Sequence, residues 1–218
     1  MIFSNNSFEV KYKMFFINLY RRNKSLLIVA AAVFFASVLI GGIGPFLYGP
    51  FDQYMTKYLI HAVSTMKTEV DGTTLSLFMH NSTNAFFMYF GGIFFGIIDI
   101  IQLIVNGVLF GFITAKNPIS IFYIVPHGIF EFLAIIVAGT AGFRLLSAFI
   151  STIKDGLHFK KNTVLSEQIE KSLKVNSWKF KDSLALFALA ITLLFIAAII
   201  EANITVTLGN YITGLNIT

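Results

Sequence analysis

Residues 118–150 read PISIFYIVPHGIFEFLAIIVAGTAGFRLLSAFI, an apolar run long enough to cross a lipid bilayer. Within it, residues 126–131, PHGIFE, place a proline, a histidine and a carboxylate well inside the hydrocarbon. His127 and Glu131 are four residues apart, so on a helix they share one face. Ionisable side chains at such depth by default face the protein interior and mark a functional site. PHGIFE is therefore the first candidate site.

The composition of the whole chain is that of a membrane protein. Hydrophobic residues make up 56% and charged residues 12% of the 218, whereas soluble domains carry about 25% charged residues. The predicted fold class is all-α, a polytopic helical membrane protein embedded in the lipid bilayer. The absence of cysteine excludes a disulfide framework, a thiolate metal site and a cysteine nucleophile. The net charge of +5 does not indicate nucleic-acid binding, because the basic residues lie in blocks that flank apolar spans.

Two basic blocks predict the orientation of the chain in a cell (plasma) membrane. Residues 1–25 carry five Lys or Arg, and residues 151–182 carry seven Lys against four acids. The positive-inside rule places both blocks in the cytoplasm and the less basic residues 49–80 in an outer loop. Residues 1–25 are interpreted as a cytoplasmic interfacial segment and residues 26–218 as a single transmembrane domain.

The number of spans follows from this orientation. An odd number of crossings must separate the outer loop from residue 151, and residues 118–150 supply one of them. Two more must fit into residues 81–117, as two short spans that turn near Asp99 or as a re-entrant hairpin. Short or broken central helices are expected there, since non-helical backbone at such depth survives only inside protein or beside a wet cavity. About five spans are predicted, with the N-terminus cytoplasmic and the C-terminus outside: 26–48, 81–98, 100–117, 118–150 and 183–203.

Residues 162–181, NTVLSEQIEKSLKVNSWKFK, place apolar residues at helical spacing among lysines. This pattern predicts an amphipathic helix lying on the cytoplasmic surface, with a docking face for a soluble partner as the functional alternative. GxxxG pairs at residues 92–96 and 107–111 predict close helix packing and are compatible with a homo-oligomer.

Other polar residues are predicted to lie near PHGIFE in the outer half of the membrane. His80 begins the second predicted span, and Glu201 lies near the outer end of the fifth. Together with His127 and Glu131 they supply nitrogen and oxygen donors that would suit Zn²⁺ or another divalent cation. The further polar residues expected inside the membrane are Asn84, Asp99, Gln102, Asn106 and Arg144.

The same side chains also have structural explanations. His80 and Glu201 could be solvated residues at helix ends, and His127 with Glu131 could form a buried hydrogen-bonded pair. A proton relay and an ion path are both compatible with these residues. The sequence leaves these alternatives open.

The order of several short motifs resembles the stage II sporulation protein M family. The motifs are HN at 80–81, NG at 106–107 followed by Gly111, PHGIFE at 126–131, AGTAG at 138–142 with Arg144, and AAIIEANIT at 197–205. The likeness covers about residues 75–205 and implies an integral membrane protein. The family namesake belongs to the engulfment machinery of sporulating bacteria, where it is thought to hold together a peptidoglycan-degrading complex. Members also occur in bacteria and archaea that do not sporulate, which implies an older and more general membrane role.

Two functions from different classes follow from these observations. The first, which the resemblance favours, is a non-catalytic scaffold or assembly protein that binds membrane or cytoplasmic protein partners. The second is a membrane-embedded ion or metal site, in a channel or transporter, built from His80, Asn106, His127, Glu131 and Glu201. A membrane metallohydrolase is less favoured, because the sequence contains neither an HExxH helix nor a serine-centred site.

Overall fold

Long apolar stretches with few charges form long helices, which make up the described structure. The computed structural model describes residues 5–69, 71–94, 96–157 and 164–214. Within these ranges the chain forms helices and no strand, which confirms the predicted all-α class. The elements are α1 (Asn5–Leu47), α2 (Gly49–Glu69), α3 (Thr74–Gly91), α4 (Ile97–Lys116), a 3₁₀ turn (Pro118–Ser120), α5 (Ile121–Leu157), α6 (Leu165–Ile200), a π-helical turn (Glu201–Thr205) and α7 (Val206–Thr213).

The helices cross the membrane several times. Within the described residues, four helical stretches are long and apolar enough to span: Val10–Leu47, Ile97–Lys116, Pro118–Leu157 and Ser166–Thr213. The 18-residue α3 packs against α5 and α6 in the same bundle, and it is about 27 Å long at 1.5 Å per residue. The chain is therefore a multi-pass membrane protein with about five spans, as predicted.

The turn between α3 and α4 lies earlier than predicted. Gly96 has φ +68°, a left-handed conformation that glycine adopts at little cost, and α4 begins at the next residue. Asp99, near which the turn was expected, instead lies in the first turn of α4. A β-carbon at Gly92 would meet the carbonyl oxygen of Gly142, so the turn packs closely on α5. The central helices are short, as predicted, with 18 and 20 residues.

Glycines bring α1 and α4 into close contact. A β-carbon at Gly107 would lie 2.6 Å from the carbonyl oxygen of Phe34, and one at Gly111 would meet the carbonyl oxygen of Val38. Gly41 of α1 contacts the backbone of α4 in the same way. The 107–111 pair therefore serves close packing within one chain, whereas Gly92 and Gly96 lie in the α3–α4 turn.

The PHGIFE motif does not interrupt its helix. Pro126 is the sixth residue of α5, which continues to Leu157. A proline so close to the start of a helix removes one donor but leaves most of the helix unchanged. The helix is therefore continuous through the motif, and the described departure from α-helical geometry is found in the π-helical turn after α6.

Two predicted surface segments are continuous with spans. The described part of residues 162–181 is the first half of α6, a single helix of 36 residues. No glycine or proline lies between Leu165 and Ile200, so nothing in the sequence ends the helix there. At the other terminus, α1 begins at Asn5 and includes the described part of the interfacial segment.

Residues 49–80, predicted as an outer loop, are mostly helical. They contain α2 and the first turns of α3. Lys116 at the end of α4 approaches Asp52 of α2, with Nζ 2.8 Å from Oδ1. We call the end of the bundle where α4 connects to α5 the Asn117 end, and the opposite end, where α1, α5 and α6 meet, the Trp178 end.

Candidate functional site

Three polar side chains lie at the same depth on three helices. Asn84 of α3, Asn106 of α4 and Glu131 of α5 are each ten residues from the Asn117 end of their helix. That distance is about 15 Å at 1.5 Å per residue, which is half of the roughly 30 Å hydrocarbon thickness. The fold therefore brings a carboxylate and two carboxamides together near the middle of the membrane.

A small cavity lies between these side chains. Its polar lining is Asn81, Asn84, Asn106 and Glu131, and its apolar lining is Ala85, Met88, Ile135 and Leu194. Its volume is about 20 Å³, enough for a single water molecule. The Glu131 side chain is 24% exposed. We call this feature, defined by its four polar residues, the Glu131 cavity.

Asn81 was not identified from the sequence as a site residue. It lies three residues before Asn84, so both side chains project from the same face of α3. Its position in the HN motif and this spacing were the available signals. Asn106, by contrast, was predicted; its Nδ2 donates to the carbonyl oxygen of Gln102, 2.8 Å away in the same helix.

His127 interacts with the π-helical turn rather than with Glu131. Its Nδ1 lies 3.0 Å from Oγ1 of Thr205 in a buried contact. Its Nε2 lies 4.0 Å from Oε2 of Glu131, beyond hydrogen-bond distance. The predicted hydrogen-bonded pair of His127 and Glu131 is therefore not formed. The Thr205 hydroxyl also donates to the carbonyl oxygen of Ile200, five residues back, at 3.3 Å.

Glu201 lies deeper in the bundle than predicted. It begins the π-helical turn, and α7 continues the chain to Thr213, which adds about 18 Å of helix beyond Glu201. Its carboxylate is close enough to Glu131 for the two charges to interact. Glu201 is thus a neighbour of the Glu131 cavity and not a residue at the end of a span.

The residues predicted to bind zinc are not assembled into a metal site. Within the described residues, no group of three or more His, Asp or Glu side chains is close enough to hold a metal ion. His80 is half-buried on α3 and does not line the Glu131 cavity. The set His80, His127, Glu131 and Glu201 is therefore not brought together as ligands.

Asp99 forms a separate polar feature. It is fully buried, and neither carboxylate oxygen has a hydrogen-bond partner within the described part of the chain. A β-carbon at Gly142 would strike this carboxylate, so the glycine makes room for it. Its position in the first turn of α4 is favourable for a negative group because of the helix dipole. Asp99 does not line the Glu131 cavity.

Arg144, predicted as an intramembrane polar residue, belongs to a hydrogen-bonded network at the Trp178 end. It donates to Oδ1 of Asn23 and to the carbonyl oxygen of Arg22. Arg22 in turn donates to both carboxylate oxygens of Asp182, at 2.8 and 2.6 Å. The Arg144 guanidinium carbon lies 5.3 Å from the centre of the Trp178 ring, in a cation–π contact. We call these five residues the Trp178 network.

Comparison with known proteins places this architecture in a family. The sequence profile of the family described as Stage II sporulation protein M matches residues 25–206. An uncharacterized protein of Methanocaldococcus jannaschii is 34% identical over 144 residues, which are 63% of this chain and 73% of that protein. No solved structure matches the chain. The family match covers most of the chain, including the whole Glu131 cavity, and so the protein belongs to the stage II sporulation protein M family.

Proposed function

We propose that this protein is a non-catalytic membrane scaffold that binds a protein partner through the ends of α5 and α6. The observation that carries the proposal is the length of these helices. They contain 37 and 36 residues, or about 55 Å each, whereas a bilayer with its headgroups is about 40–45 Å thick. Both helices therefore have residues to spare beyond the membrane, and the spare residues lie at the lysine-rich Trp178 end.

Hydrogen bonds support a paired arrangement of the two helix ends. Ser172 Oγ donates to the carbonyl oxygen of Thr152 at 2.7 Å, and Asn176 Nδ2 donates to Asp155 Oδ2 at 2.9 Å. Lys179 also contacts Ser151 across the pair. These bonds link one helix to the other and would hold the extension as a single rigid unit. We call residues 149–157 and 165–178 the hairpin extension.

The surface of the hairpin extension has the character of a docking surface. Its exposed large apolar side chains are Phe149, Ile150, Ile153, Leu157, Ile169, Leu173, Val175 and Trp178. Lysines 154, 171 and 174 lie among them. Apolar side chains surrounded by charged ones favour binding of a complementary protein surface. The partner that fits this surface is a helix with an apolar stripe flanked by acidic residues.

Photo-crosslinking in native cells tests the scaffold proposal. We expect benzoylphenylalanine at Ile153 or Leu173 to form an adduct with one defined protein. Matched controls at Ile104 and Leu133 should give lipid adducts only, because both are exposed and lie two residues from Asn106 and Glu131, near the middle of the membrane. Charge reversal at Lys171 and Lys174 should weaken the protein adduct. Equal adducts at all four positions, or none at the hairpin extension, would contradict the proposal.

The proposed partner is cytoplasmic, which depends on the orientation predicted from the basic blocks, with the N-terminus inside and the C-terminus outside. Because the chain has no cysteine, single substitutions can report this orientation directly. Ser64→Cys on α2 should react with an impermeant maleimide in intact cells, and Ser166→Cys on α6 only after lysis. The reverse pattern would place the hairpin extension outside.

A homo-oligomer remains a prediction and is not required for this function. The glycine pair that first indicated self-association, Gly107 and Gly111, contacts α1 of the same chain. Close packing of helices thus explains these glycines without a second copy.

A further inference from the structure

The Glu131 cavity has the ligand chemistry of a hard cation site. Its polar lining consists of one carboxylate and three carboxamides, from Glu131, Asn81, Asn84 and Asn106. Each of these groups has an oxygen that can accept a hydrogen bond or coordinate a cation. Oxygen-only ligand sets favour hard cations, whereas Zn²⁺ and copper favour nitrogen and sulfur. No histidine lines the cavity.

The protein itself leaves these oxygens largely without partners. His127 Nε2 lies 4.0 Å from Glu131 Oε2, and within the described residues no side chain donates a hydrogen bond to this carboxylate. Asn106 uses its amide nitrogen for the Gln102 carbonyl, which leaves its oxygen available. In a hydrocarbon environment, polar groups without partners are costly, so a bound polar or charged species would stabilise the lining.

A second acidic side chain lies beside the cavity. Glu201 is close enough to Glu131 for the two carboxylates to interact when both are ionised. Nδ1 of His127 lies 3.0 Å from Oγ1 of Thr205, and its Nε2 lies 4.0 Å from Oε2 of Glu131, beyond hydrogen-bond distance. The charge of the carboxylate is therefore offset either by a proton or by a bound cation.

Size and charge decide which cation fits. The cavity, with about 20 Å³, holds one water-sized species, whereas Mg²⁺ usually keeps several of its waters. A single carboxylate in the lining neutralises one positive charge. We propose that the Glu131 cavity binds one small monovalent cation, of the size of sodium, through Glu131 and the side-chain oxygens of Asn81, Asn84 and Asn106. This site is independent of the proposed scaffold surface, which lies on the hairpin extension.

Equilibrium binding of ²²Na⁺ to the purified full-length protein in nanodiscs tests this site. We expect saturable binding of one Na⁺ per chain, and a higher melting temperature in NaCl than in choline chloride at equal ionic strength. Glu131→Gln keeps the shape of the side chain and should abolish both effects. Asn84→Leu and Asn106→Leu should each weaken binding at least about tenfold, as expected for loss of one good ligand.

The controls separate the site from general effects of charge and folding. Gln102→Leu changes a polar residue of α4 that does not line the cavity, and Glu170→Gln removes an exposed carboxylate. Both variants should bind Na⁺ like the unchanged protein. Should Glu131→Gln fail to fold, Asn84→Leu carries the test, because Asn84 is exposed and its replacement disturbs little packing.

Three results would overturn the proposal. The first is that the unchanged protein binds no more ²²Na⁺ than Glu131→Gln does. The second is that it binds ⁴⁵Ca²⁺ that excess Na⁺ does not displace. The third is that its melting temperature is the same in sodium chloride and in choline chloride. Photo-crosslinking at Leu173 in the Glu131→Gln variant distinguishes failure of the cation proposal from failure of the scaffold proposal. We expect the protein adduct to form whether or not the cavity binds a cation.

Discussion

The Trp178 network and the Glu131 cavity are built from the same kinds of side chain. Each contains a carboxylate and asparagine in the interior of the helical bundle. Asp182 accepts hydrogen bonds from Arg22 at 2.8 and 2.6 Å and from Asn23 at 3.0 Å. Glu131, by contrast, has its nearest charged-group contact at 4.0 Å, with His127. One group of polar residues is thus saturated by protein partners and the other is not.

This difference indicates two different uses of polar residues in a membrane protein. In a saturated network every donor and acceptor is committed, so the network fixes the positions of the helices and has no capacity left for a ligand. An unsaturated group at mid-membrane contributes little to the stability of the fold and is available to bind. Buried polar residues alone therefore do not indicate a binding site; unused hydrogen-bonding capacity beside a cavity is what makes the Glu131 cavity a candidate.

Removal of Asp182 should have the largest effect on stability. Asp182→Ala leaves Arg22 and Arg144 without their counter-charge, and the Asp182 side chain is only 4% exposed. We expect a loss of about 3 kcal/mol in the free energy of unfolding, near the lower end for a broken buried pair because Arg22 is partly exposed. Denaturant titration in mixed micelles measures this loss. The more accessible pair of Asp52 and Lys116, whose side chains are 30% and 46% exposed, provides the control, since Asp52→Ala should cost less than about 1 kcal/mol.

The same substitution in the two regions should have unequal effects. Asn23→Ala removes bonds to Asp182, Arg144 and the carbonyl oxygen of Leu19, and should cost about 2 kcal/mol of unfolding free energy. Asn106→Ala removes one bond within its own helix, and should cost less than about 1 kcal/mol. Parallel titrations in sodium-free buffer compare the two variants. Equal losses would show that the Glu131 cavity is as saturated as the Trp178 network.

An isosteric change at two aspartates should give a smaller contrast. Asp99→Asn breaks no hydrogen bond within the described residues, so its unfolding free energy should not fall and should change by less than about 1 kcal/mol. Asp182→Asn loses the charge that Arg22 contacts and should destabilise clearly. If Asp99→Asn lost as much unfolding free energy as Asp182→Asn, the expectation that the Asp99 carboxylate has no hydrogen-bond partner would be wrong.

The smallest expected effect lies outside both regions, at the start of α3. Hydrogen bonds from the side chain and backbone of Thr73, at 2.7 and 3.0 Å, hold the pKa of Asp71 below its usual value. Because the folded pKa is the lower one, the stabilising contribution is present above the unfolded pKa of about 4 and is lost as the pH falls through the folded value.

Thermal unfolding of the unchanged protein and of Asp71→Asn measures this contribution. The difference between their melting temperatures should be constant between neutral pH and about pH 5, and should shrink below about pH 4. A difference that grows with acidification would contradict the assigned hydrogen bonds. Neither the Trp178 network nor the Glu131 cavity should respond to this substitution.

Features that depend on local composition could be predicted from the sequence. Apolar length and scarcity of charge indicated a helical membrane protein, and the lysine blocks gave about five spans. PHGIFE was singled out because a histidine and a carboxylate at helical spacing are costly in lipid. Asn84 and Asn106 were expected inside the membrane, and both line the cavity beside Glu131.

Features that depend on long-range packing could not be predicted from the sequence. Asn23 and Asp182 are bonded although they are 159 residues apart, and no local pattern relates them. Glu201 was placed at the end of a span because the polar tail after it resembles a loop, whereas the chain continues as helix to Thr213. The turn at Gly96 lies in apolar sequence without the usual polar turn residues. In each case tertiary contacts determine the outcome.

The π-helical turn at Glu201–Thr205 accommodates one residue without changing the direction in which α7 faces. Its five residues complete about one helical turn, which about four residues of an α-helix complete. Deletion of one residue in this turn would therefore restore α-helical geometry and leave α7 facing nearly the same way. Successive residues of an α-helix are rotated by about 100° about its axis, so a deletion between Val206 and Gly209 would turn Asn210 away from Tyr123, to which it is now bonded at 3.0 Å. Loss of one residue would thus preserve or remove this interhelical contact according to its position in the chain.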